Sequence, residues 1–99
     1  MKLSPSQIAT IRTFFQDKPV KKVYVFGSYA RGDADENSDI DLLIDWDYSK
    51  GIGWEVMDYK EKAALLLKKE VDFVSLKWVD PLIEDYVNKD KKLVYDRAA

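Results

Sequence analysis

From Asp39 to Asp45 the acids fall at every second position except Leu43, a period of two that points to a strand. As a strand, Ile40, Leu42 and Ile44 share one face, and Asp39, Asp41, Leu43 and Asp45 share the other. The segment therefore specifies a sheet that buries aliphatic side chains on one side and displays carboxylates on the other. At 99 residues, 46% apolar and 34% charged, the chain has material for one core and is expected to be a single domain spanning residues 1–99.

What the chain lacks narrows its chemistry further. Without cysteine or histidine it has no thiol nucleophile, no imidazole base and no thiolate or imidazole metal site. Catalysis is left to carboxylates, hydroxyls, Lys and Arg around a hard cation. The net charge is −2, but the window Asp33–Asp47 holds seven acids and no Lys or Arg. Such a window repels nucleic acid unless cations neutralise it, and no direct nucleic-acid binding is expected. Lys68, Lys69, Lys89, Lys91 and Lys92 are scattered and read as solvated faces. The opening MKLSPSQIAT has no long apolar run and no cleavage site, so neither a membrane association nor a leader is expected, and a cytoplasmic location follows as an expectation.

The remaining elements read from their punctuation. Ser4, Pro5 and Gln7 form an N-cap, a first-turn proline and a capping box, with Leu3 and Ile8 at staple positions. Ile8, Ile11, Phe14 and Phe15 then make a buried helical stripe that stops near Asp17–Pro19. Val23–Phe26 is a strand running into Gly27. Val56, Tyr59, Ala63, Leu66 and Leu67 mark a helix, and Val71–Ser75 a third strand. Asp80 is expected to cap a short helix that uses Leu82, Ile83, Tyr86 and Val87, before an edge strand at Leu93–Tyr95. This order predicts a two-layer α/β fold: a mixed β-sheet with helices packed mainly on one side.

Three features carry chemistry. Asp39 and Asp41 lie on one strand face, where two like charges call for a cation between them, and Mg²⁺ with its oxygen ligands suits the need. Gly27-Ser28-Tyr29-Ala30-Arg31-Gly32 is a turn between strand and helix whose backbone can approach phosphate oxygens, with a hydroxyl and a guanidinium beside it. Asp72 interrupts the apolar strand Val71–Val74, and a charge so placed calls for a base or a metal as partner.

Together, Gly27-Ser28-x-Ala30-Arg31-Gly32, the Ser38-Asp39-Ile40-Asp41-Leu42 block ten residues on, and Asp72 resemble the nucleotidyltransferase superfamily typified by DNA polymerase beta. The small size is most similar to its minimal nucleotidyltransferases, the MNT antitoxins that pair with HEPN-domain toxins. The resemblance implies a polymerase-beta-like nucleotidyltransferase fold. It further implies that Asp39 and Asp41 bridge two Mg²⁺ ions, that Asp72 binds the ion on the nucleophile's side, and that Gly27 and Ser28 cradle the outer phosphates of ATP. Arg31 matches the motif's arginine, with phosphate contact or bracing of the turn as its two open roles. The implied activity is AMP transfer from ATP to a tyrosine hydroxyl of a HEPN toxin. Two alternatives stand beside it: neutralisation of the partner by binding alone, and nucleotidyl transfer to RNA. Trp46, Tyr48, Ile52 and Trp54 form an aromatic, glycine-bearing segment with two open readings, docking of the partner, which is favoured, and core packing at the sheet's end. Trp46 leans to the second, because it alternates with the Ile40, Leu42 and Ile44 side.

Overall fold

The computed structural model describes residues 1–99. Helix α1 (Pro5–Phe15) opens on the expected capping box: the Gln7 N–H donates to Ser4 Oγ at 3.0 Å and the Ser4 N–H to Gln7 Oε1 at 2.8 Å. Two of the amides that a helix start leaves unpaired are satisfied reciprocally. Replacing Ser4 by Ala is expected to cost about 1 kcal/mol, read as a lower urea midpoint at an unchanged slope.

Strand β1 (Val20–Phe26) begins three residues before its apolar run, because Val20 and Lys22 pair with Trp46 and Asp45 of β2 (Ile40–Trp46). Between them, the short helix α2 (Ser28–Arg31) grows from the glycine turn. Helix α3 (Glu55–Leu67) leads to β3 (Val71–Ser75), and α4 (Glu84–Asp90) to β4 (Lys92–Asp96). The sheet order is β3-β2-β1-β4, with β2 and β3 parallel and the other pairs antiparallel. This is the expected mixed sheet, with β3 and β4 at its edges.

Ile40, Leu42, Ile44 and Trp46 pack against Ile11 and Phe15 of α1 and Ala63 and Leu67 of α3 in one buried cluster. The opposite face is not bare. Leu43, the ladder partner of Tyr24, is fully buried there. Val87 of α4 is buried outside the main cluster, and Lys91, just past α4, holds its ammonium 5.1 Å from the Tyr24 ring centre. Helix α4 therefore crosses the face that bears Asp41, while α1 and α3 share the other.

Three expectations from the sequence need correction. Trp46 does not dock a partner: it is 2% exposed and stacks on Tyr59, ring centres 6.4 Å apart, because it ends β2 on the core-facing parity. Ile52 likewise packs against the core, which leaves Tyr48 and Trp54 exposed from that segment. Leu66 is exposed, because Ala63 and Leu67 complete the inward stripe of α3 without it. The last helix starts at Glu84: the Asp80 carboxylate accepts from the Leu82 N–H at 2.9 Å in a turn ahead of it, leaving Leu82, Ile83 and Tyr86 exposed.

Asp47 closes the far end of β2 as the one buried charged residue. It accepts from the Ser49 hydroxyl and amide, and from Arg97 Nη1 at 2.9 Å. The Ser49 hydroxyl above all, and then Arg97, lower its pKa from 3.8 to about 2. A folded-state value below the unfolded one stabilises the fold above pH 3.8, and that contribution is lost as pH falls towards about 2. Urea titrations across this range are expected to show wild type losing stability more steeply than Asp47→Asn.

Candidate active site

In the β1–β2 ladder Phe26 stands opposite Asp41, so the turn that follows is built against the Asp41 carboxylate. Gly27 is required there for two reasons. Its backbone, at φ 72° and ψ −150°, lies where L side chains are strained, and a Cβ would sit 2.6 Å from Asp41 Oδ2. The Gly27 carbonyl accepts from the amides of Ala30 and Arg31, each at 3.0 Å, starting α2. Gly32, in the left-handed region, ends it with an N–H to the Ser28 carbonyl at 2.9 Å. The first amides of α2, which have no partners within the helix, thus begin at a glycine that abuts an acid.

Asp41 and Asp72 are side-by-side partners in the parallel β2–β3 ladder, so both carboxylates project from the face opposite α1 and α3. Asp39 shares their parity just before β2 and is exposed. The Asp41 pKa is raised, first by partial burial and then by the charges of Asp72 and Asp39, against a smaller lowering by Arg31. The three acids are close enough to feel one another, yet they are not drawn together into a group that could by itself clasp an ion. Like charges repel, and Asp72 turns one oxygen to Lys60 Nζ at 3.3 Å. Lys60 belongs to α3 on the other side of the sheet and reaches Asp72 round the free edge of β3. A partly desolvated carboxylate with two acidic neighbours and only oxygen donors fits a hard dication such as Mg²⁺, which would neutralise charge that Lys60 and Arg31 offset only in part.

Arg31 is committed elsewhere. Its Nε donates to Asp33 at 3.1 Å and its Nη1 to Asp90 of α4 at 2.9 Å, bonds that raise its pKa, Asp90 most. This geometry is that of a brace tying the turn to α4. Sequence reasoning singled out neither Asp90 nor Lys60. Asp90 leaves no local signal, and Lys60 gains meaning only once β3 is known to be an edge strand.

The same architecture recurs in known proteins. The chain is 35% identical over 68 residues to MJ0435 of Methanocaldococcus jannaschii, provisionally named a protein adenylyltransferase, a match covering 69% of this chain and 72% of that one. Its fold overlays a toxin–antitoxin complex with AMP-PNP at a TM-score of 0.74 and 24% identity, covering 90% of this chain and 73% of the other. It also overlays a Shewanella oneidensis complex of a tri-AMPylated HEPN toxin with an MNT antitoxin at a TM-score of 0.65 and 19% identity, covering 91% and 70%. The family model of the polymerase beta nucleotidyltransferases matches residues 9–99, taking in the glycine turn, the Asp-bearing strands and the last edge strand alike, and the chain belongs to that nucleotidyltransferase family.

Proposed function

We propose that the chain transfers AMP from ATP to a tyrosine hydroxyl of a HEPN-domain partner, silencing that partner as an antitoxin. The observation that carries this reading is the position of Asp41, with its Oδ2 against Gly27 on one side and Asp72 beside it on the other. A phosphate-binding turn and an acceptor-side carboxylate thus flank one central acid. The name of MJ0435 supports a protein as acceptor, and the AMPylated HEPN toxin of the structural neighbour supports its class.

In this mechanism Gly27 brings backbone close to the triphosphate, and the Ser28 hydroxyl and α2 amides donate to its outer phosphates. Asp39, Asp41 and Asp72 would hold two Mg²⁺ ions, Asp72 on the acceptor's side. When bound, the ions lower the pKa of the attacking hydroxyl and stabilise charge on the leaving pyrophosphate. The tyrosine oxygen forms a bond to the α-phosphorus while the bond from that phosphorus to the bridging oxygen breaks, releasing pyrophosphate. Asp72 would either receive the hydroxyl proton or hold the ion that activates the hydroxyl. Arg31 keeps the turn in register through Asp90.

The test is incubation of the chain with the HEPN-domain protein encoded beside it, Mg²⁺ and ATP labelled in the α-phosphate. Label on a partner tyrosine, with the mass increment of AMP, is the expected result. Neutralisation of the partner without ATP or Mg²⁺, and without label, would replace transfer by simple sequestration.

A further inference from the structure

Of the protein's ion pairs, only that between Lys60 and Asp72 involves any of the acids Asp39, Asp41 and Asp72. Lys60 is thus the one cationic side chain in contact with the three. The contact is made from across the sheet. Val56, Tyr59, Ala63 and Leu67 turn the inner side of α3 to the core, and Lys60, next to Tyr59, extends round the edge strand β3 until its Nζ stands 3.3 Å from Asp72 Oδ1. A four-carbon stem makes that reach possible.

The pair has the properties of a replaceable contact. An ammonium is a compact point charge on a flexible stem, and here it meets a single carboxylate oxygen, where a guanidinium could grip both. The two side chains are 47% and 60% exposed, and an ion pair so open to water adds little to folding. Its effect falls on the site instead. The charge of Asp72 is among those that oppose ionisation of Asp41, and the ammonium offsets part of it. A dication needs the same carboxylate and repels an ammonium beside it, so the two compete for Asp72.

We propose that Lys60 is the resident counter-ion of Asp72: it holds that carboxylate in the metal-free protein and is displaced when a dication takes it. This role rests on the reading that Asp72 serves the acceptor-side ion. Lys60 is then a positioning residue that sets how readily that ion loads, and it has no part in the bond-making step.

The probe is Mn²⁺ in place of Mg²⁺, with free ion counted by electron paramagnetic resonance in the absence of nucleotide and partner. Lys60→Gln is expected to tighten Mn²⁺ binding by about two- to fivefold, the range an exposed pair can supply. Lys62→Gln removes the same charge from the same helix, where it pairs with Asp58 instead, and is expected to bind as wild type does. In an Asp72→Asn background the Lys60 substitution is expected to change nothing, since no pair remains to break. A second readout follows the ammonium itself: acetylation of Lys60 by an N-hydroxysuccinimide ester, quantified by peptide mass spectrometry. Mn²⁺ is expected to speed it in wild type but not in Asp72→Asn, where Lys60 is already free. Unchanged or weaker Mn²⁺ binding in Lys60→Gln, an equal gain in Lys62→Gln, a gain that survives in Asp72→Asn, or wild-type acetylation indifferent to Mn²⁺ overturns the role of Lys60 and leaves AMP transfer standing. A wild-type chain that binds no Mn²⁺ and labels no partner overturns the functional reading itself.

Discussion

Asp41→Asn is expected to lower AMP transfer by more than about 10²-fold while making the metal-free protein more resistant to heat. Both effects come from one carboxylate. In the proposed mechanism Asp41 stands at the centre of the site, and its removal would delete the acid shared between the triphosphate's side and the acceptor's side. The same charge opposes folding, because burial, Asp72 and Asp39 raise its pKa above 3.8. A folded-state value above the unfolded one means the penalty is full once the group is ionised and disappears as pH falls through that folded value to 3.8. Melting curves in chelator should therefore show the variant above wild type near neutral pH, with the gap closing in acid. Adding Mg²⁺ should raise the melting temperature of wild type more than that of the variant. A variant that is less stable than wild type in chelator and still transfers AMP would contradict both halves of the argument.

Gly27→Ala is expected to damage stability and transfer together. A left-handed backbone forced on alanine costs about 1–3 kcal/mol, and the new methyl would meet Asp41 Oδ2 at 2.6 Å, so the carboxylate or the turn must move. Gly51→Ala separates the two causes: Gly51 also has a positive φ, of 71°, but its Cβ would meet nothing within 4 Å. Denaturant titration should show a loss in both variants, larger at Gly27. Transfer should fail only at Gly27.

The elements nearest the site were the most legible in the sequence. Alternation assigned Asp39, Asp41 and the buried Ile40, Leu42 and Ile44 to opposite faces of β2, and the structure keeps that division. The capping residues placed α1, and the glycine after the apolar run placed the turn at Gly27. Each of these is a local decision, made by backbone geometry within a few residues. The errors came where burial depends on distant neighbours. Trp46 sits in the segment favoured for docking although its parity matches the Ile40 side, and Tyr59 and Phe73 pack beside it; Leu43 shares a face with the acids, and only the tertiary structure buries it there. Leu82 and Tyr86 looked like a buried stripe, but the turn held by Asp80 delays the helix and only Val87 is turned inward.

Taken alone, the order of residues determined which groups are available for chemistry and which of them share a strand face, because side-chain direction in a strand follows from counting by twos. It also determined, through the absence of cysteine and histidine, that any metal must be a hard one held by oxygen. Only the tertiary structure decided that Asp72 stands beside Asp41, that Arg31 is spent on Asp90, and that Lys60 reaches round an open edge to the third acid. Those relations join residues 31, 59 and 12 positions apart. They arise from strand order and helix placement, which burial of the whole core selects and no local pattern encodes.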